Sequence, residues 1–197
     1  MTLPSSHLTA AWFRNGHALA AGEPLARLHA RTPAELPALL ADSHDWQQRG
    51  YLQVGLISYA FAARSLGLPE AATPGMEIQV FAPDQVRPLN PAPTAPFALD
   101  GAFASDMHTM SYHQAIARIH DYLRAGDCYQ VNFARRFSTR YQGEPLSAWL
   151  RLLARHPAPH ASFYRLDDGQ CVFGVSPERF LRVQHGVITS EPIKGSR

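Results

Sequence analysis

Two side chains near the end of the sequence have the types and spacing for covalent chemistry: Glu178, in Ser176-Pro177-Glu178-Arg179-Phe180, and Lys194, in Pro192-Ile193-Lys194-Gly195-Ser196. Between them His185-Gly186 fits a two-residue hairpin turn joining strands from Arg179 to Gln184 and from Val187 to Ile193. With Gln184 opposite Val187 and no bulge, Lys194 falls opposite Pro177 and beside Glu178. Cross-strand neighbours lie about 5 Å apart and diagonal ones about 7–8 Å, whereas a one-residue slip turns one of the two to the other face. A partly desolvated lysine that loses its proton is a nucleophile, and a protonated carboxyl beside it is a general acid. Such a pair suits addition of an amine to carbon while a hydroxyl departs. The same spacing also describes an ordinary surface ion pair, worth ~0–1 kcal/mol.

The elements that must position this hairpin can be read upstream. Ser111-Tyr112-His113-Gln114 is a capping box, Tyr112, Ile116, Ile119 and Leu123 share one helical face, and Gly126 suits the position just past the helix end. From Cys128 to Thr139 the pattern has period two, which predicts a strand with Tyr129, Val131 and Phe133 on one face and Cys128, Gln130 and Asn132 on the other. A second helix starts near Pro145, buries Leu146, Trp149, Leu150 and Leu153, and stops at His156-Pro157. Asp168-Gly169 then joins two more strands, and connections this short imply an antiparallel sheet.

Nearer the start, Asn15-Gly16 marks a hairpin. Thr32-Pro33-Ala34-Glu35 opens a helix with Leu36, Leu39 and Leu40 on its apolar stripe, and Leu52 to Ser58 reads as a buried strand. Pro83, Pro88, Pro91, Pro93 and Pro96 remove backbone donors in quick succession. We therefore expect an N-terminal α+β subdomain over 1–82, a linker over 83–100 and a second domain over 101–197. With 46% hydrophobic and 17% charged residues the chain can bury a core. A net charge of +2 without a basic run argues against a nucleic-acid partner but suits a small anionic metabolite. The first residues form no signal pattern and no apolar run spans a bilayer, so a cytoplasmic protein with no membrane partner is expected. Cys128 and Cys171 read as buried free thiols on strands. No histidine spacing makes a metal site; His156 and His160 are separated by Pro157 and Pro159.

Three segments in order, Ala125-Gly126-Asp127-Cys128-Tyr129-Gln130-Val131-Asn132, Ser176-Pro177-Glu178-Arg179-Phe180 and Pro192-Ile193-Lys194-Gly195-Ser196, resemble the chorismate-utilising enzymes, and among them the aminodeoxychorismate synthase component I family. Lys194 makes the finer distinction, since anthranilate synthase component I typically has alanine there. The resemblance implies an α+β fold of antiparallel sheets with outer helices. It also implies formation of 4-amino-4-deoxychorismate from chorismate and ammonia on the route to p-aminobenzoate and folate.

In that scheme Lys194 is the covalent nucleophile and Glu178 the general acid. Gly195 and Ser196 contact substrate through the backbone and a hydroxyl, and Gln130 and Asn132 are candidate substrate-lining residues. A glutamine amidotransferase subunit supplies ammonia, and Mg2+ binds the carboxylates of chorismate. The metal's protein ligands are expected in a C-terminal half absent from these 197 residues, so the fold is expected to be incomplete and the chain alone inactive. Two alternatives stay open: an anthranilate-synthase-like product, or a non-catalytic module that binds a ligand or partner.

Overall fold

A computed structural model describes residues 8–14, 17–68, 75–89 and 95–192. The Asn15-Gly16 turn, part of the proline-rich run, and Lys194, Gly195 and Ser196 lie outside the described residues. The chain forms two compact units, one of Met1–Thr94 with Glu144–Arg197 and one of Ala95–Gly143.

The first unit begins with β1 (Ala10–Arg14) and β2 (His17–Ala21), antiparallel with Arg14 opposite His17, as a two-residue connection requires. β3 (Ala26–Ala30) leads to a single 3-10 turn over Pro33–Glu35 and then α1 (Leu36–Gln48). The Glu35 carboxylate accepts the backbone N–H groups of Arg31 at 2.7 Å and Thr32 at 3.4 Å, so the predicted start forms. Leu39 is buried, but Leu40 is exposed, because the helix covers its sheet along a narrower stripe than expected. β4 (Leu52–Ile57) and α2 (Tyr59–Ser65) follow, and then β5 (Met76–Phe81). β5 lies between β3 and β4. β4 is thus a half-buried edge strand rather than the buried one expected, and the central place belongs to β5, every residue of which after Met76 is buried.

β6 (Arg87–Pro88) closes this stretch by pairing with β2 at a sheet edge, where a proline is tolerated. In the other unit β7 (Phe97–Ser105) and α3 (Thr109–Ala125) precede β8 (Phe137–Gly143), which pairs with β7 across a register break between Asp100 and Ala104. α3 starts two residues before the predicted capping box, with His108 as its cap, and ends at Gly126 with φ 81°. The expected strand from Cys128 does not form: pairing starts at Phe137, and residues 128–136 have no strand partner among the described residues. Period-two alternation assigns faces, but a strand exists only where a second strand accepts its ladder.

The chain then returns to the first unit through α4 (Pro145–Arg155), β9 (His160–Arg165), β10 (Cys171–Ser176), β11 (Arg179–Gln184) and β12 (Val187–Glu191). β9 pairs with both β10 and β1, giving the sheet order β10-β9-β1-β2-β6. The proline-rich run over 83–100 therefore does not separate N- and C-terminal halves; a sheet built from both ends of the chain crosses it. α4 packs on this sheet as predicted, burying Leu146, Trp149, Leu150 and Leu153 with Phe163 and Ala11. The Trp149 ring lies 6.0 Å from Phe163, and its Nε1 donates to the Gly174 carbonyl at 3.1 Å, so its one polar atom is satisfied. Cys171 opens β10 and Cys128 lies off any strand; both are free and half-buried rather than buried. No helix among the described residues is long and apolar enough to cross a membrane.

Candidate functional site

β10 delivers Ser176-Pro177-Glu178 to the top of the last hairpin. The Ser176 hydroxyl accepts the Glu178 N–H at 3.3 Å and donates to the Glu178 carbonyl at 3.0 Å, closing a local side-chain turn that fixes the backbone of the carboxylate residue. Pro177, with its locked φ, stiffens the same turn. The Glu178 residue itself is exposed.

The hairpin below it turns at His185 and Gly186, with φ of 51° and 76°, as the predicted two-residue turn demands. Val183 opposite Ile188 and Arg182 opposite Thr189 keep the predicted register. Closer to Glu178 it breaks: Arg179 faces Glu191, one residue earlier than an unbroken ladder would give. The no-bulge extrapolation that set Lys194 opposite Pro177 therefore fails before it reaches the lysine. Arg179 Nε and Glu191 Oε2 form an ion pair at 3.2 Å, which gives Glu191, silent in the sequence, a place beside the candidate acid. The hairpin carries Phe180, Val183, Val187 and Ile188 exposed.

Lys194, Gly195 and Ser196 lie outside the described residues, so their relation to Glu178 is a matter of sequence. Gln130 and Asn132 are described: both are exposed, off any strand, and belong to the other unit. Near them Arg135 stacks its guanidinium 4.7 Å from the Tyr112 ring and donates to Ser105 Oγ at 3.0 Å. Among the described residues no group of three or more His, Cys, Asp or Glu side chains is arranged to hold a metal ion.

Sequence reasoning passed over a second polar centre. Glu77 on β5 keeps 8% of its side chain exposed and pairs with Arg27 at 2.7 Å. Its Oε1 also accepts the Tyr164 hydroxyl at 3.1 Å, and its Oε2 the Asp167 N–H at 3.4 Å. Burial first, and the neighbouring Glu77 charge second, push the Tyr164 pKa upward, so the phenol stays a donor. Gln79 Nε2 donates to the Arg165 carbonyl at 2.7 Å. Beside this cluster opens a cavity of about 620 Å³ with His29, Arg31, Arg64, Asp167 and Asp168 in its wall. The signal that could have found the centre is Glu77 and Gln79 alternating with Ile78 and Val80 in one short apolar strand.

The family described as chorismate binding enzyme matches residues 42–197. The aminodeoxychorismate synthase component 1 of Klebsiella aerogenes is 35% identical over 184 residues, covering 89% of this chain and 36% of that protein. Its namesake from Salmonella typhimurium is 41% identical over 106 residues, 53% of this chain and 23% of the relative. The anthranilate synthase component 1 of Pseudomonas aeruginosa is 36% identical over 96 residues, 49% of this chain and 19% of the relative. The chain thus spans little more than a third of the length of the relative it matches over most of its residues.

Proposed function

The chain belongs to the chorismate binding enzyme family, and on that premise we propose that the protein carrying it makes 4-amino-4-deoxychorismate from chorismate and ammonia. Lys194 adds through its free amine to C2 of chorismate while Glu178 protonates the C4 hydroxyl, which leaves as water. Ammonia then adds at C4, the C2–N bond breaks, and the lysine amine is released. Atoms balance: chorismate and ammonia give aminodeoxychorismate and water. Gly195 and Ser196 meet the substrate through the backbone and a hydroxyl, with Gln130 and Asn132 as further lining residues.

The observation that carries the reading is the family match, which takes in all three motif segments, together with two relatives of that name. The side-chain turn that holds Glu178 at the end of β10 supports its role, because a general acid must be presented in a fixed position. A relative named anthranilate synthase component 1 supports the second reading, with anthranilate as product; Lys194 favours the first. Ammonia would reach the site from a glutamine amidotransferase partner, and Mg2+ would screen the carboxylates of chorismate. The compartment would be the cytoplasm, and the product would feed p-aminobenzoate and folate synthesis.

An acid and an amine work this way only when shielded from water. With Glu178 exposed, the 197 residues by themselves are proposed to be inactive. The test is to incubate the whole gene product with chorismate and ammonium and identify the product by mass. Aminodeoxychorismate that disappears in Lys194→Ala and falls steeply in Glu178→Gln supports the proposal; anthranilate refutes the assignment of product. Turnover by the purified 197-residue chain would remove the shielding argument.

A further inference from the structure

Backbone ladders between antiparallel strands repeat every two residues, so they choose faces well and positions poorly. β9 meets β1 over only three pairs, Ala10 with Tyr164, Ala11 with Phe163 and Trp12 with Ser162. A slip of two residues would keep every side chain on its face and shift the strand by roughly 6.8 Å. β9 carries β10 with it, Ser176 lying opposite His160, and β10 runs directly into Pro177 and Glu178. Phe163, packed on Trp149 in the core, opposes such a slip at mid-strand, and the polar centre opposes it at the far end of β9. Glu77 takes the Tyr164 hydroxyl and the Asp167 N–H, while Gln79 and Arg27 both donate to the Arg165 carbonyl, at 2.7 and 3.4 Å. After a two-residue slip Ser162 or Leu166 would stand where Tyr164 stands, and neither can deliver a phenol to Glu77.

Burying the Arg27–Glu77 pair is a poor way to gain stability, since a well-packed apolar pair of similar volume commonly does as well. Its distinctive capacity is to select one arrangement. We propose that Glu77, with Arg27, is a positioning residue that pins the register of β9 and thereby places Glu178 for reaction. The catalytic consequence rests on the synthase reading above; the register itself does not.

The decisive variant is Arg27→Met with Glu77→Leu, which removes both charges and leaves apolar packing in their place. In the 197-residue chain its melting temperature is expected to fall modestly, by what the unpartnered Tyr164 hydroxyl and Asp167 N–H cost. Backbone nuclear Overhauser contacts between β1 and β9 are expected to show a second set of pairs, with Ala10 facing Ser162 or Leu166. In the whole gene product kcat is expected to fall by about tenfold to a hundredfold with KM for chorismate little changed, since misplacement by ~1 Å alone can remove a hundredfold. A control, Leu39→Ala, perturbs the core beneath the same three-stranded sheet and should lower the melting temperature without that split. A double variant with the native pairs and native kcat overturns the proposal. If the unsubstituted gene product makes no product from chorismate, the synthase reading fails and the pairing measurement alone decides the register claim. Should the double variant not fold, Tyr164→Phe takes its place: a severalfold drop in kcat at constant KM supports the pin, and unchanged kinetics with native pairing rejects it.

Discussion

Helices α4 and α3 make the same promise in sequence and meet different fates. Each carries an apolar face at helical spacing and a clear stop, Pro157 beyond α4 and Gly126 after α3. α4 buries five residues against β9 and β10. α3 buries none among the described residues, although Tyr112, Ile116 and Ile119 are half-covered on the predicted face. An amphipathic pattern states which side of a helix wants cover, and only tertiary contacts supply it. The residues tied to chemistry follow the second case: Gln130, Asn132 and Glu178 are all exposed.

The largest expected effect tests that contrast directly. Trp149→Ala empties a site that is 0% exposed and leaves the Gly174 carbonyl without its indole donor. Loss of a large buried aromatic should lower the unfolding free energy by about 3–5 kcal/mol. Ile116→Ala on α3 should stay within about 1 kcal/mol, near the range of surface changes. Urea denaturation of both variants decides; equal losses would mean that the α3 face is covered in solution.

How much was legible follows the same division. The two-residue hairpin at His185-Gly186, the turn at Asp168-Gly169 and helix α4 were readable because each is set by local chemistry: positive φ, a fixed proline, or apolar spacing within a dozen residues. The central role of β5 was missed because buried Glu77 and Gln79 look like solvent-facing residues until Arg27, Tyr164 and Arg165 arrive from distant parts of the chain. The strand expected from Cys128 failed for the converse reason: alternation was present and, among the described residues, a pairing partner was not. Of the candidate site, the sequence placed Glu178 at one end of the last hairpin but could not foresee the side-chain turn at Ser176 or the register break beside Arg179. A bulge is a choice of hydrogen-bond partners, which period-two alternation does not encode.

A smaller effect probes the less covered region from within. Gly143 closes the β7–β8 pair with φ 99°, and a Cβ there would stand 2.1 Å from the Pro96 carbonyl oxygen. Gly143→Ala must therefore shift backbone rather than a flexible side chain, at a local loss of about 1–3 kcal/mol. Hydrogen exchange should quicken across residues 97–105 and 137–143 while the β9 and β10 amides keep their protection. Loss of protection in β9 as well would show that the two units unfold together, and the comparison between them would lose its meaning.

The smallest effect compares two predicted capping boxes. Thr32 to Glu35 forms its box, while Ser111 to Gln114 is overrun by a helix that starts at Thr109. A carboxylate answers two orphan N–H groups more strongly than an amide does, and Glu35 accepts from both Arg31 and Thr32. The Arg31 N–H chiefly, with Thr32 adding to it, holds the Glu35 carboxyl below its ordinary 4.5. A depressed acid stabilises the fold above its unfolded value, and that contribution disappears as pH falls through the folded one. Glu35→Gln should therefore lower stability by a constant small amount at neutral pH, and the gap should close as pH drops below about 4.5 through the carboxyl range. Gln114→Ala should leave stability unchanged at every pH, because its box does not exist. A pH-independent gap for Glu35→Gln would assign the cap to shape alone and remove charge from the account of why one box holds and the other does not.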